Sequence, residues 1–202
     1  MRQGLSIRSE IEGIVSFYSL KLSPARKVLL PNAWIFVYPE DIAADEIFQV
    51  EFKDPFLKFR PLKSRPGAWV LVENGFPIEI QDEIAAIYVE NSGTVKITPT
   101  KIAILGKDGK VAEEYHSEGF ELTVTNGQNV KVKEKIAHIL SPVEGIIRIE
   151  LDHDKRATKI LVQPGEAYQL PEEFTVKVRD AQPVKEGVLL GFGYIEDTKE
   201  TE

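Results

Sequence analysis

Residues 74–87 read NGFPIEIQDEIAAI, residues 126–139 read NGQNVKVKEKIAHI and residues 180–192 read DAQPVKEGVLLGF. The stretches share one plan. A turn dipeptide leads to an aliphatic anchor (Ile78, Val130, Val184), a second turn position follows three residues later (Gln81, Lys133, Gly187), and another apolar residue comes three after that (Ile84, Ile136, Leu190). Asn74-Gly75 and Asn126-Gly127 suit a tight reversal between strands, where the backbone needs positive φ; Asp180-Ala181 stands in their place in the last stretch and predicts a different turn there. An aromatic residue precedes each stretch: Trp69, Phe120 and Phe174. A fourth copy is expected nearer the N-terminus, where Trp34 leads to Ile42, Asp45 and Phe48 at the same spacings. Pro31, Pro66 and Pro171 lie three positions before their aromatics, and Ser117 takes that place in the remaining copy. Gly13, Gly93 and Gly145, in EGIV, SGTV and EGII, read as strand entries.

Outward from these stretches the chain keeps the same character. WIFVYPED, AWVLVENG, TVKITPTKIAIL, FELTVTNG, IIRIELD, TKILVQPG and FTVKVRD are short β-rich runs, broken by Gly, Pro, Asn and Asp. Only residues 39–50 and 132–140 offer helical windows, and neither sustains an amphipathic stripe. An all-β fold is expected. Repeats this small cannot bury their apolar faces alone, so they are expected to pair into compact barrels or sandwiches. The spacing suggests one module over residues 12–91, with a shortened first unit, a second over 92–195, and an acidic tail or linker remnant over 196–202.

Composition narrows the function classes. With 25 basic against 32 acidic residues the net charge of −7 opposes a global electrostatic grip on nucleic acid or anionic membrane. The chain contains no cysteine, which removes disulfides and thiolate chemistry together and fits a reducing compartment. The first residues, MRQGLSIRSEIEG, lack a signal-peptide core, and no stretch reaches the roughly 20 apolar residues of a spanning helix. A cytoplasmic protein without membrane contact is expected.

The turn dipeptide followed by V-x-x-G-x-x-L-A resembles the barrel-sandwich hybrid motif of biotinyl and lipoyl carriers, efflux adaptors and RNA polymerase large subunits. Gly187 supplies the second glycine of that pattern, whereas Gln81 and Lys133 replace it elsewhere. A carrier needs a lysine at an exposed hairpin tip directly after the L-A strand, but these strands continue as YVENSG, LSPVEG and GYIEDT. An efflux adaptor would add a long helical hairpin and an export signal. Over residues 28–192 the chain is most similar to the lineage-specific insertion of the bacterial RNA polymerase β′ subunit. The likeness rests on the aromatic-x-L-P step Tyr168-Gln169-Leu170-Pro171 before Phe174 and PVKEGVLLG, and on the span EEYHSEGFELTVTNGQNVKVKEKIAHILSPVEGIIRI. That resemblance implies a non-catalytic passenger domain on the polymerase exterior, acting in transcription through other polymerase subunits or transcription factors, and monomeric when isolated. The polymerase's magnesium-binding NADFDGD motif does not occur in the sequence. A free-standing all-β module binding protein or carbohydrate is the alternative, and a hydrolase on the same scaffold would require a convergent polar pocket.

No catalytic, cofactor or metal residues are assigned from the sequence. His116, His138 and His153 are far apart and form no H-x-x-x-H or H-E-x-x-H pattern, so they read as surface or edge histidines. Asp152-His153-Asp154 lacks the glycine and distal glutamate of a calcium loop and reads as a solvated turn. Adjacent carboxylates (Asp82-Glu83, Glu113-Glu114, Glu172-Glu173) on strands point to opposite faces and read as solubilising charges. No G-x-S-x-G elbow or phosphate-binding glycine loop occurs. One candidate contact surface stands out: Lys58, Arg60, Lys63 and Arg65 follow one another without an acid, interleaved with Phe56, Phe59 and Trp69. Cations and aromatics together could meet phosphate and bases or another subunit. Alternation alone gives the preferred reading, an edge strand guarded by outward Lys58 and Arg60; direct nucleic-acid contact is not favoured.

Overall fold

A computed structural model describes residues 2–22, 27–53, 58–59, 66–153, 156–171 and 173–196. The fold is all-β, and among the strand pairs whose register is described all are antiparallel except β5 with β6. The first strands are β1 (Arg2–Arg8), β2 (Gly13–Leu22), β3 (Lys27–Tyr38), β4 (Phe48–Glu51), β5 (Lys58–Phe59), β6 (Gly67–Val70), β7 (Pro77–Ile78) and β8 (Glu83–Tyr88). The middle of the chain gives β9 (Gly93–Ile97), β10 (Lys101–Leu105), β11 (Val111–His116), β12 (Glu121–Leu122), β13 (Asn129–Val130) and β14 (Lys135–Leu140). The last are β15 (Gly145–Leu151), β16 (Ala157–Gln163), β17 (Glu166–Gln169), β18 (Thr175–Val176), β19 (Pro183–Val184) and β20 (Leu189–Glu196). Of the helical windows, the first yields one 3-10 turn at Ala44–Glu46, and the second is strand β14. Among the described residues no helix is long and apolar enough to cross a membrane.

The chain divides into two compact units, but not at residue 91. Residues 47–162 form one, and residues 1–46 with 163–202 form the other. The reason lies in the pairing partners. Val130 pairs with Gly93, Ile78 with Gly145, and Val184 with Gly13, so each anchor chooses an entry strand remote in sequence. The Ile78–Gly145 pairing and the β8–β14 pairing thereby cross the expected 91/92 boundary, and the last copy recruits the N-terminal strand β2.

The repeat is reproduced bond for bond in three places. Gly75 N donates to Ile147 O, Gly127 N to Val95 O and Ala181 N to Val15 O. Backbone amides of Ile149, Ile97 and Phe17 donate to the side-chain oxygens of Asn74, Asn126 and Asp180. The second turns close alike, with Gln81 N on Ser141 O, Lys133 N on Val89 O and Gly187 N on Ser9 O. Ala181, at φ 63°, enters the left-handed region as Gly75 and Gly127 do, so the last copy uses the same first turn rather than a different one. Ile78, Val130 and Val184 are buried, as are Ile84, Ile136 and Leu190.

The expected fourth copy is absent. Ile42 lies outside any strand and is half-buried, and Phe48 opens β4 rather than an arm. What the first stretch contributes instead is β3, whose Trp34–Val37 segment pairs with β17.

Each unit has its own core. In residues 47–162, Ile84, Ile87, Ile102, Ile104, Ile136 and Ile147 belong to one continuous apolar cluster. In the other unit, Val15, Ile35, Val37, Phe174, Val184 and Leu190 form the cluster. Removing such side chains from water at about 25 cal/mol per Å² is the main force that holds the strands together.

Candidate functional site

The candidate basic surface falls largely outside the described residues, which exclude the positions of Arg60, Lys63 and Arg65 and the side chain of Lys58. The backbone of Lys58–Phe59 is described. It is the outermost strand of the sheet β12-β14-β8-β6-β5, with Lys58 opposite Trp69 and Phe59 opposite Val70 in parallel register. That placement agrees with an edge strand.

Beside this edge, within residues 47–162, lies an open cleft of about 370 Å³ lined by Pro66, Gly67, Trp69, Glu90, Glu113 and Tyr115. Glu113 organises it. Its carboxylate accepts hydrogen bonds from the backbone amides of Glu90 (3.0 Å) and Asn91 (2.8 Å) and from the Tyr115 hydroxyl. The loop after β8 is thereby tied to β11. Burial first, and then the hydrogen bond to Glu113, push the Tyr115 phenol well above the usual tyrosine range, so it stays a neutral donor. Trp69 donates its indole N–H to Pro66 O at 3.0 Å and is largely buried, which leaves little of the ring for a ligand to stack on. Glu114, which also lines the cleft, pairs with Lys101 at 2.8 Å. Glu113 is thus a structural acceptor rather than a solubilising charge. The sequence signal was available in its alternation with Tyr115, two residues on and on the same face.

The histidines do not converge. His138 sits mid-strand in β14, 3.4 Å from Glu83 and 3.6 Å from Glu121, with Glu83 also held by Lys135 at 2.8 Å. It is therefore not an edge histidine, because β12 and β8 flank β14, and its side chain is half-buried. Among the described residues no group of three or more His, Cys, Asp or Glu side chains comes together as a metal site. Asp152 Oδ1 accepts from Arg156 N across the turn that holds His153, and Asp154 lies outside the described residues. Glu172, of the last carboxylate pair, is likewise outside them.

The aromatic-x-L-P step has a definite structural task. Tyr168 lies in β17 opposite Ile35, and its hydroxyl accepts the Glu10 backbone N–H at 2.8 Å. Leu170 is buried beside Phe174, and its amide donates to Ala33 O. The step therefore fastens the last repeat to the N-terminal strands.

Compared with protein-family models and with curated proteins, the sequence matches none.

Proposed function

We propose that this chain is a non-catalytic insertion segment of a bacterial RNA polymerase β′ subunit, a repeat scaffold that acts in transcription by contacting other polymerase subunits or transcription factors. One observation carries the reading. The turn, anchor and arm on which the resemblance rests recur within this chain with equivalent backbone bonds at Gln81, Lys133 and Gly187, which supports reading them as copies of one motif. The Tyr168–Pro171 step adds a specific mark, since its tyrosine and leucine each make a defined contact. Glu113 and Tyr115 satisfy each other in the cleft and serve the scaffold, which suits a role exerted through surface contact rather than chemistry. The role is steric and electrostatic, performed in the cytoplasm by a folded exterior domain.

The genomic reading frame tests this directly. The expected result is a frame that runs on through both ends into polymerase β′ sequence. A native stop codon directly after Glu202 sinks the proposal and favours the free-standing binding module.

A further inference from the structure

In residues 47–162 two repeats close one another: the anchor of each pairs with the entry strand that follows the other. The unit of residues 1–46 and 163–202 holds one such repeat and part of a second. Over its middle the β1–β20 pair matches the register of β8–β14. Leu5↔Gly193, Ser6↔Phe192 and Ile7↔Gly191 stand where Ala85↔Ile139, Ala86↔His138 and Ile87↔Ala137 stand in the complete unit. β18 lies outside β20 as β12 lies outside β14. On the other flank the match stops. β8 is covered by β6, with Trp69 opposite Ala86 and Val70 opposite Ala85, whereas β1 ends its sheet and no described strand lies beyond it.

The apolar surface follows the same asymmetry. Ile195 is 46% exposed, while Val89 and Ser141 at the matching arm positions are each 0% exposed. Tyr194 is 54% exposed, whereas at the matching arm positions Tyr88 is 9% exposed and Leu140 half-buried. A seven-residue edge with no described strand beyond it, beside exposed apolar side chains, is a template for strand addition.

We infer that the free edge of β1 and the Ile195 end of β20 form a docking surface for a polypeptide segment of this same repeat type. Its strand runs antiparallel to Leu5–Arg8 as β6 runs against β8, carrying an aromatic and an aliphatic residue where Trp69 and Val70 stand. The template for this occupant is inside the molecule. A second copy of the chain fits less well, because its β6 is already paired with β8 and its anchors Ile78, Val130 and Val184 with entry strands of the same chain.

The test grafts this chain's own half-module onto the full protein: residues 48–80 fused ahead of Met1 and residues 143–163 placed after Glu196 instead of 197–202. Hydrogen exchange of the Leu5–Arg8 amides is expected to slow by about tenfold or more, with the product monomeric. A graft whose Trp69 and Val70 equivalents are both aspartate should give no slowing. Ile195→Asp should leave the melting temperature of the ungrafted chain unchanged and lower that of the grafted one. Unchanged β1 exchange in the graft, with Ile195→Asp silent in both backgrounds, overturns the inference. Self-association of the ungrafted chain that is abolished by a proline at Ser6 would also overturn it, by giving the edge to a second copy.

Discussion

At the second-turn position the same backbone conformation is met by three different residues: Gln81 at φ 73°, Lys133 at φ 72° and Gly187 at φ 87°. A side chain with a Cβ costs about 1 kcal/mol in this left-handed region, and glycine does not incur that cost. Lys133→Gly is therefore expected to raise stability by roughly 0.5–1 kcal/mol, and Gly187→Ala to lower it by a similar amount, both read from denaturant midpoints. A loss on Lys133→Gly would mean that the lysine side chain contributes more than its backbone strain costs. Tyr115 gives a second residue-scale expectation. Its folded-state pKa is raised by burial and by Glu113, so its contribution to stability is complete below the unfolded value near 10 and is lost as pH climbs beyond it. Stability should fall above about pH 10 by up to roughly 1.4 kcal/mol per pH unit for each such tyrosine. Tyr115→Phe should flatten that fall in alkaline melts, and an unchanged slope would remove Tyr115 as its source.

Elements here are short, and their partners decide their identity. β7, β13 and β19 are two residues long each, and such strands persist because Ile78, Val130 and Val184 insert into a core, while Gly93 and Gly13 in two of the entry strands let a neighbouring backbone come close. A Cβ on Gly93 would run into the Leu105 carbonyl, and one on Gly13 into that of Tyr38. Gly93→Ala is accordingly expected to cost about 1–3 kcal/mol in chemical denaturation, and a neutral result would show that the β9–β10 hairpin can open without consequence. The arms β8 and β14 play equivalent parts in one cluster, so Ile84→Ala and Ile136→Ala should each cost roughly 2–5 kcal/mol and differ little. The strands, anchors and arms were readable because alternation and turn dipeptides are local signals. The boundary near Asn91 was not, because nothing in the local sequence says which entry glycine an anchor will choose. Trp34, Ile42 and Phe48 mimicked the spacing without the turn chemistry: no Asn-Gly precedes Ile42, and the stretch makes only a 3-10 turn. The bonds from the Glu90 and Asn91 amides to Glu113 were hidden for the same reason, since they reach 23 and 22 residues back along the chain.

For the whole molecule, the nested division carries the strongest consequence. The unit of residues 47–162 contains both partners of every strand exchange it makes, and its core cluster runs from Val50 to Val162. The other unit is discontinuous, built from residues 1–46 and 163–202, and no described strand pairs with the outer edge of its β1. Burial of apolar surface rises with closure, so a unit that closes both of its repeats has what autonomous folding requires. Residues 47–162 expressed alone should therefore give a dispersed amide spectrum and a single cooperative thermal transition. Leu190→Ala in the intact chain should destabilise the discontinuous unit, because Leu190 belongs to its cluster and to no other. Calorimetry on that variant is expected to shift one transition by several degrees while the transition matching the isolated fragment stays in place. A random-coil spectrum for 47–162, or a Leu190→Ala variant whose transitions all move together, would show that the two units fold as one and that the division has no energetic meaning.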